Sequence, residues 1–203
     1  MGDVSGLLRN DLRRLIPYIV MAPLAAIMIA MGVSLGTLII PMIVAAYATC
    51  NLFSDDRGCG WLTFAASTGI GRRRIVSSRM LALLILSIPV AVIPAICTVM
   101  MSPMEDHILA GLGIGTYLTG IGYGCMVCFP RPYENVSPLR CMIGQFAFLA
   151  TSVLALLAVD AVTGDVAVGF AVCVAMGFAA MAGRTYWLWI GSPEPTSEPR
   201  VLI

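Results

Sequence analysis

The 203 residues predict an all-α fold, a polytopic membrane protein with six transmembrane helices, and three observations carry that prediction. Hydrophobic side chains make up 59% of the chain and charged ones 11%, with mean hydropathy +0.93, against about 45–50% and about 25% in soluble domains. Uncharged runs extend over Leu15–Ser54, Met80–Met104, Ile108–Pro130, Cys141–Val159 and Val166–Gly183. The twelve arginines, finally, fall on one side of the six spans that these runs make.

The elements follow from length. A helix rising 1.5 Å per residue needs about 20 apolar residues to cross roughly 30 Å of hydrocarbon. The four shorter runs are therefore one helix each and the 40-residue run is two. Residues 1–14 come first: Val4, Leu7, Leu8, Leu12, Leu15 and Ile16 share one helical arc, and Arg9, Asn10, Arg13 and Arg14 lie largely opposite. This predicts an amphipathic interfacial helix on the leaflet, with Asp11 interrupting its apolar stripe. Spans follow near 15–32 and 35–54, reversing at Gly32-Val33-Ser34-Leu35-Gly36, where glycine permits a tight turn and Ser34 can satisfy freed backbone groups. Residues 55–79 form a long polar loop. Further spans lie near 80–101, 108–130, 141–159 and 166–190, with 191–203 as a tail. Pro41, Pro89 and Pro94 predict kinks.

Orientation follows from the arginines, because basic residues in short loops stay on the cytoplasmic side. Arg9, Arg13 and Arg14 precede the first span, Arg57 to Arg79 fall between the second and third, Arg131 and Arg140 flank the connection after the fourth, and Arg184 and Arg200 close the chain. The three other connections hold no arginine. Both termini are therefore expected in the cytoplasm. The five later spans argue against reading the N-terminal run as a signal peptide.

Composition excludes several function classes. All twelve basic residues are arginine, so the chain has no lysine for a nucleotide-binding loop or a Schiff base. Its single histidine, His107, cannot make a two-histidine metal site, and no nucleophile–base pair suggests catalysis. No catalytic, cofactor or metal site is assigned, and a formal net charge of +1 predicts no nucleic-acid partner. With the spans bounded as above, none holds an ionisable residue in its interior, which argues against a proton- or sodium-coupled carrier. Arg184, before Tyr186-Trp187-Leu188-Trp189, reads as an interfacial anchor. Of seven cysteines, Cys125 and Cys128 have redox-motif spacing but sit in a membrane helix, where they read as small apolar residues. Asn135-Val136-Ser137 falls in the cytoplasm and is assigned no glycan.

Small residues mark helix contacts. Gly111 and Gly115, then Gly120 and Gly124, give two GxxxG pairs in the fourth span, a spacing that lets backbones approach closely, chiefly within the bundle. Ala22, Ala26 and Ala30 form a similar stripe in the first.

The 55–79 loop is too structured in sequence for a plain connector. It has an acidic start at Asp55 and Asp56, an aromatic segment with Trp61, Phe64 and Ala65 at i, i+3 and i+4, a turn over Ser67-Thr68-Gly69-Ile70-Gly71, and the basic run Arg72-Arg73-Arg74. At these residues the chain resembles the membrane subunits of type-2 ATP-binding-cassette transporters, the small bacterial six-span branch. Asp55-Asp56-Arg57 stands for that family's acidic start, Trp61 for its tryptophan, Ser67 to Arg73 for its turn, and Ile75-Val76 with Ser78-Arg79-Met80-Leu81 for the approach to the third span. Departures are Thr68 for leucine, Gly69 for proline, Arg79 for lysine and Met80 for tyrosine.

The resemblance implies a permease half of an exporter for a peptide, amphiphile or drug-like substrate. Its coupling helix would engage a separate ATP-binding subunit through Asp55, Asp56, Trp61, Phe64, Ser67, Gly69, Arg72 and Arg73. It further implies ATP and magnesium on that subunit, a second permease copy or paralogue, and contact with membrane lipid. Two alternatives stay open from the residues: a substrate-capturing subunit of a vitamin importer and a non-transporting membrane scaffold.

Overall fold

The computed structural model describes residues 4–58, 72–103, 106–128 and 137–190. These residues are helical apart from short turns, and six of their helical stretches are long and apolar enough to cross a membrane: Gly6–Ala30, Gly36–Phe53, Arg74–Met101, His107–Cys128, Pro138–Thr163 and Val166–Tyr186.

The first stretch comprises α1 (Val4–Ile19) and α2 (Met21–Ala30). The break between them falls where Pro23 can neither donate to the carbonyl of Ile19 nor avoid crowding it, since proline lacks the N–H and its ring meets residue i−4. The residues expected to lie on the leaflet and those expected to cross it share the apolar stretch Gly6–Ala30, and the inward face of α1 is Leu8, Asp11, Leu12 and Leu15. Asp11 stands in that stripe and is buried there. In α2 the packed residues are Ala25 and Ile29, while Ala26 and Ala30 of the expected small-residue stripe face outward.

The reversal after α2 falls at Gly32, with φ +78. The Gly32 N–H reaches the carbonyl of Ile29 at 2.9 Å and the Val33 N–H that of Met28 at 2.8 Å, the double bond of a Schellman cap. Ser34 does not serve a backbone group through its hydroxyl. It donates to the carboxylate of Asp106, tying this turn to the one before the fourth span.

Helix α3 (Gly36–Gly58) continues through Pro41. Helix α4 (Arg72–Ser87) passes through a π-helical turn at Ile88–Val92 into α5 (Ile93–Met101). Pro89 and Pro94 each remove a ladder donor there, and the chain absorbs the loss by widening one turn. Helices α6 (His107–Cys128), α7 (Pro138–Thr163) and α8 (Val166–Ile190) complete the bundle. Gly164, at φ +61, ends α7, and the Asp165 carboxylate caps α8 by accepting the Ala167 N–H at 2.8 Å.

The centre is α6, buried along most of its length and packed most extensively on α8, α3 and α7. Its glycines set these distances. A Cβ on Gly115 would lie 2.5 Å from the Phe148 ring and 2.6 Å from the Cys173 carbonyl, and one on Gly111 would lie 3.0 Å from the Phe170 carbonyl. Gly120 abuts Gln145 and Ala45, and Gly124 abuts Thr49. The first GxxxG pair thus meets α7 and α8, and the second meets α3 and α7. Outside this centre the bundle shows apolar side chains, among them Val20, Met100, Leu154 and Val162. That inversion of a soluble surface suits lipid.

Candidate functional site

The described arginines gather at one end of the bundle. Arg9, Arg13 and Arg14 lie in α1, Arg74 and Arg79 open α4, Arg140 opens α7, and Arg184 lies in the last turns of α8. Side-chain contacts join these ends directly: Ser78 reaches Asp11, and the Arg184 guanidinium lies 4.7 Å from the centre of the Tyr123 ring near the end of α6. Arg184 also donates to the Met126 sulfur at 3.5 Å, so it packs on α6 rather than only anchoring at an interface.

Within this end lies a buried charged cluster. Asp11, 6% exposed, accepts a hydrogen bond from Ser78 Oγ at 2.8 Å and interacts electrostatically with Arg79 and Arg14. Arg79, 1% exposed, lies with its guanidinium carbon 4.4 Å from the centre of the Phe53 ring. Three helices therefore converge on one arginine: α1 through Asp11, α3 through Phe53, and α4, which carries Arg79 itself. The expectation that no span holds an ionisable residue in its interior applies to spans starting near 15 and 80; the apolar helical stretches start earlier, at Gly6 and Arg74, and so include Asp11 and Arg79 near their ends. An aspartate at i+3 from Leu8 and i−4 from Leu15 was the available sequence signal. A carboxylate facing into the bundle would be unfavourable alone, and here the charge of a buried arginine offsets it.

The coupling residues expected from resemblance fall differently. Trp61, Phe64, Ser67 and Gly69 lie outside the described residues. Asp55 and Asp56 are in the last turns of α3, and Arg72 and Arg73 in the first turn of α4. Arg79 and Phe53 thus join α3 and α4, the helices on either side of residues 59–71 in the sequence.

Farther into the bundle, polar contacts are few and buried. Gln145 of α7 donates through Nε2 to the carbonyls of Met42 at 3.0 Å and Thr116 at 3.2 Å, joining α7 to α3 and α6. Tyr117 donates to the Leu83 carbonyl at 2.9 Å, joining α6 to α4. Toward the end opposite the arginines, a groove of about 390 Å³ lies between α5, α6 and α8, lined by Val92, Ile96, Met100, Ile114 and Phe170 with His107 at its margin.

Comparison with protein-family models, with curated proteins and with solved structures finds no match to this chain.

Proposed function

We propose that the chain is the membrane-spanning permease subunit of an ATP-driven exporter, multi-pass in the bacterial inner membrane with both termini in the cytoplasm. It moves a peptide, amphiphile or drug-like molecule and is not itself the ATPase. Hydrolysis belongs to a separate ATP-binding subunit that carries ATP and magnesium, and a second permease copy or paralogue completes the pathway.

The observation that carries this reading is the stapled base of the 55–79 loop. A flexible tether needs no fixed stems, whereas a coupling element must pass force into the helices. Phe53 and Arg79 join the helices on either side of the loop, and Asp11 extends the same contact to α1. Displacement of the loop would therefore move α1, α3 and α4 together. The groove between α5, α6 and α8 adds support, since its apolar lining suits an amphiphile better than an ion.

Co-purification tests the reading. The chain alone hydrolyses no ATP. Expressed with an ATP-binding subunit from its own source, it is expected to bring that subunit down in a complex containing two membrane subunits, with hydrolysis now present. A monomer that retains function without any ATPase would remove the assignment.

A further inference from the structure

Three cysteines far apart in sequence meet at the arginine-rich end of the bundle. Cys50 comes from α3, Cys128 is the last residue of α6, and Cys141 lies in the first turn of α7. Their sulfurs all lie within 4.8 Å of one another. The Cys50 and Cys141 sulfurs are 3.1 Å apart and those of Cys128 and Cys141 3.8 Å apart. All three side chains are buried.

We propose that Cys50, Cys128 and Cys141 form a binding site for a soft, thiophilic metal ion, with monovalent copper the best-matched member of that class.

The geometry fits without rearrangement of the helices. A triangle with edges of 3.1, 3.8 and at most 4.8 Å has its centre about 2.4 Å or less from each corner, close to the metal–thiolate distance of about 2.3 Å. The donor set selects the ion class, because three sulfurs without oxygen donors disfavour hard cations such as magnesium or calcium and favour soft ones. Structural zinc normally takes four ligands, and among the described residues only three donors converge here, which favours an ion that accepts lower coordination.

A neighbouring arginine offsets part of the ligand charge. Thiolates in a low-dielectric interior need a neighbouring cation. Arg79 interacts electrostatically with Cys128 and with Cys125, one turn earlier in α6. On binding, three S–H bonds break, three metal–sulfur bonds form, and three protons leave to the buffer, with no change in oxidation state. The ion would then fasten α3, α6 and α7 at their common end.

The test uses the full chain purified in detergent under reducing conditions and titrated with monovalent copper against a competing chelator. One ion per chain is expected, with proton release on binding. X-ray absorption on the wild-type protein should show a first shell of sulfur only, at about 2.3 Å. Removing a direct ligand should weaken binding at least as much as the roughly 10–100-fold typical of losing an outer-shell contact. Cys50→Ala, Cys128→Ala and Cys141→Ala should therefore each weaken binding by about 100-fold, and Cys97→Ala combined with Cys173→Ala should leave it unchanged. Absence of tight binding, an oxygen- or nitrogen-dominated shell, or equal loss in the Cys97/Cys173 variant would overturn the site. The absorption measurement needs no variant, so it decides the question even if a substitution prevents folding.

Discussion

Arg79 stacks over Phe53 with its guanidinium carbon 4.4 Å from the ring centre, while Ser78, the residue before it, donates to Asp11. Two adjacent residues of α4 thus hold two different helices. Burying an arginine is costly unless its charge is offset, and here an aromatic face and a carboxylate share that role. The cluster ties the first helix to the helices either side of the long loop, which no chain connection does.

Removing one side of the Asp11–Arg79 pair is expected to cost more than removing both. Asp11→Ala should destabilise the folded chain by about 3–5 kcal/mol, because the arginine stays buried without its carboxylate. Adding Arg79→Met should restore part of that loss, with a coupling energy of about 1–3 kcal/mol in a double-mutant cycle. Chemical unfolding in detergent measures it. Strict additivity would mean that the two side chains are not energetically linked.

Helix spacing gives a second expectation. A Cβ on Gly177 would lie 2.4 Å from the Gly115 Cα, where only backbone faces it, so Gly177→Ala must push α8 from α6. Overpacking of this kind costs about 1–3 kcal/mol or more. Gly183, six residues later, has open space at the same position, and Gly183→Ala should leave the unfolding temperature unchanged or slightly raised. Similar melting of the two variants would contradict the α6–α8 contact.

Much of this architecture is legible in the sequence, for reasons that are local. Gaps between charges mark the six long helices, and Gly32 supplies the positive φ at the first reversal. The helix ends are less legible. Arg79 looks like the last residue of a polar loop until Asp11 and Phe53 enclose it, and a lone aspartate in an apolar stripe gives no hint of its partner 68 residues away. The cysteine cluster was hidden for the same reason. Cys125 and Cys128 share a visible spacing, whereas the ligand set pairs Cys128 with residues from α3 and α7, and only tertiary packing brings those together.

Topology can be tested by labelling. With arginines kept on the cytoplasmic side, cysteines introduced as Asp106→Cys or Asp165→Cys should react with an impermeant thiol reagent added to intact cells. Arg73→Cys and Ser137→Cys should react only after lysis. The Ser34–Asp106 contact places the first turn at the same end as Asp106, so Val33→Cys should follow the outside pattern. External labelling of Arg73→Cys would reverse the orientation.

The coupling assignment further requires a role for the aromatic residues of the loop. If Trp61 and Phe64 are anchors in a groove of an ATP-binding subunit, Trp61→Ala combined with Phe64→Ala should leave insertion intact and weaken partner binding by roughly 2–4 kcal/mol, since interface energy concentrates in buried aromatics. Transport and partner-stimulated hydrolysis should then fall together. A loop that rests on the leaflet predicts the opposite: the same variant keeps its partner and its activity, because membrane insertion is secured by six long helices. Reversing charge with Arg72→Glu and Arg73→Glu probes the basic flank separately, and the labelling experiment controls for any change in orientation. Disrupting the base of the loop supplies an independent check. Phe53→Leu keeps the apolar volume but removes the ring beneath Arg79, so it should uncouple hydrolysis from transport while leaving partner affinity within about twofold. Unchanged affinity in the Trp61/Phe64 variant, measured on correctly inserted protein, would remove the coupling role from this loop whatever the Phe53 result.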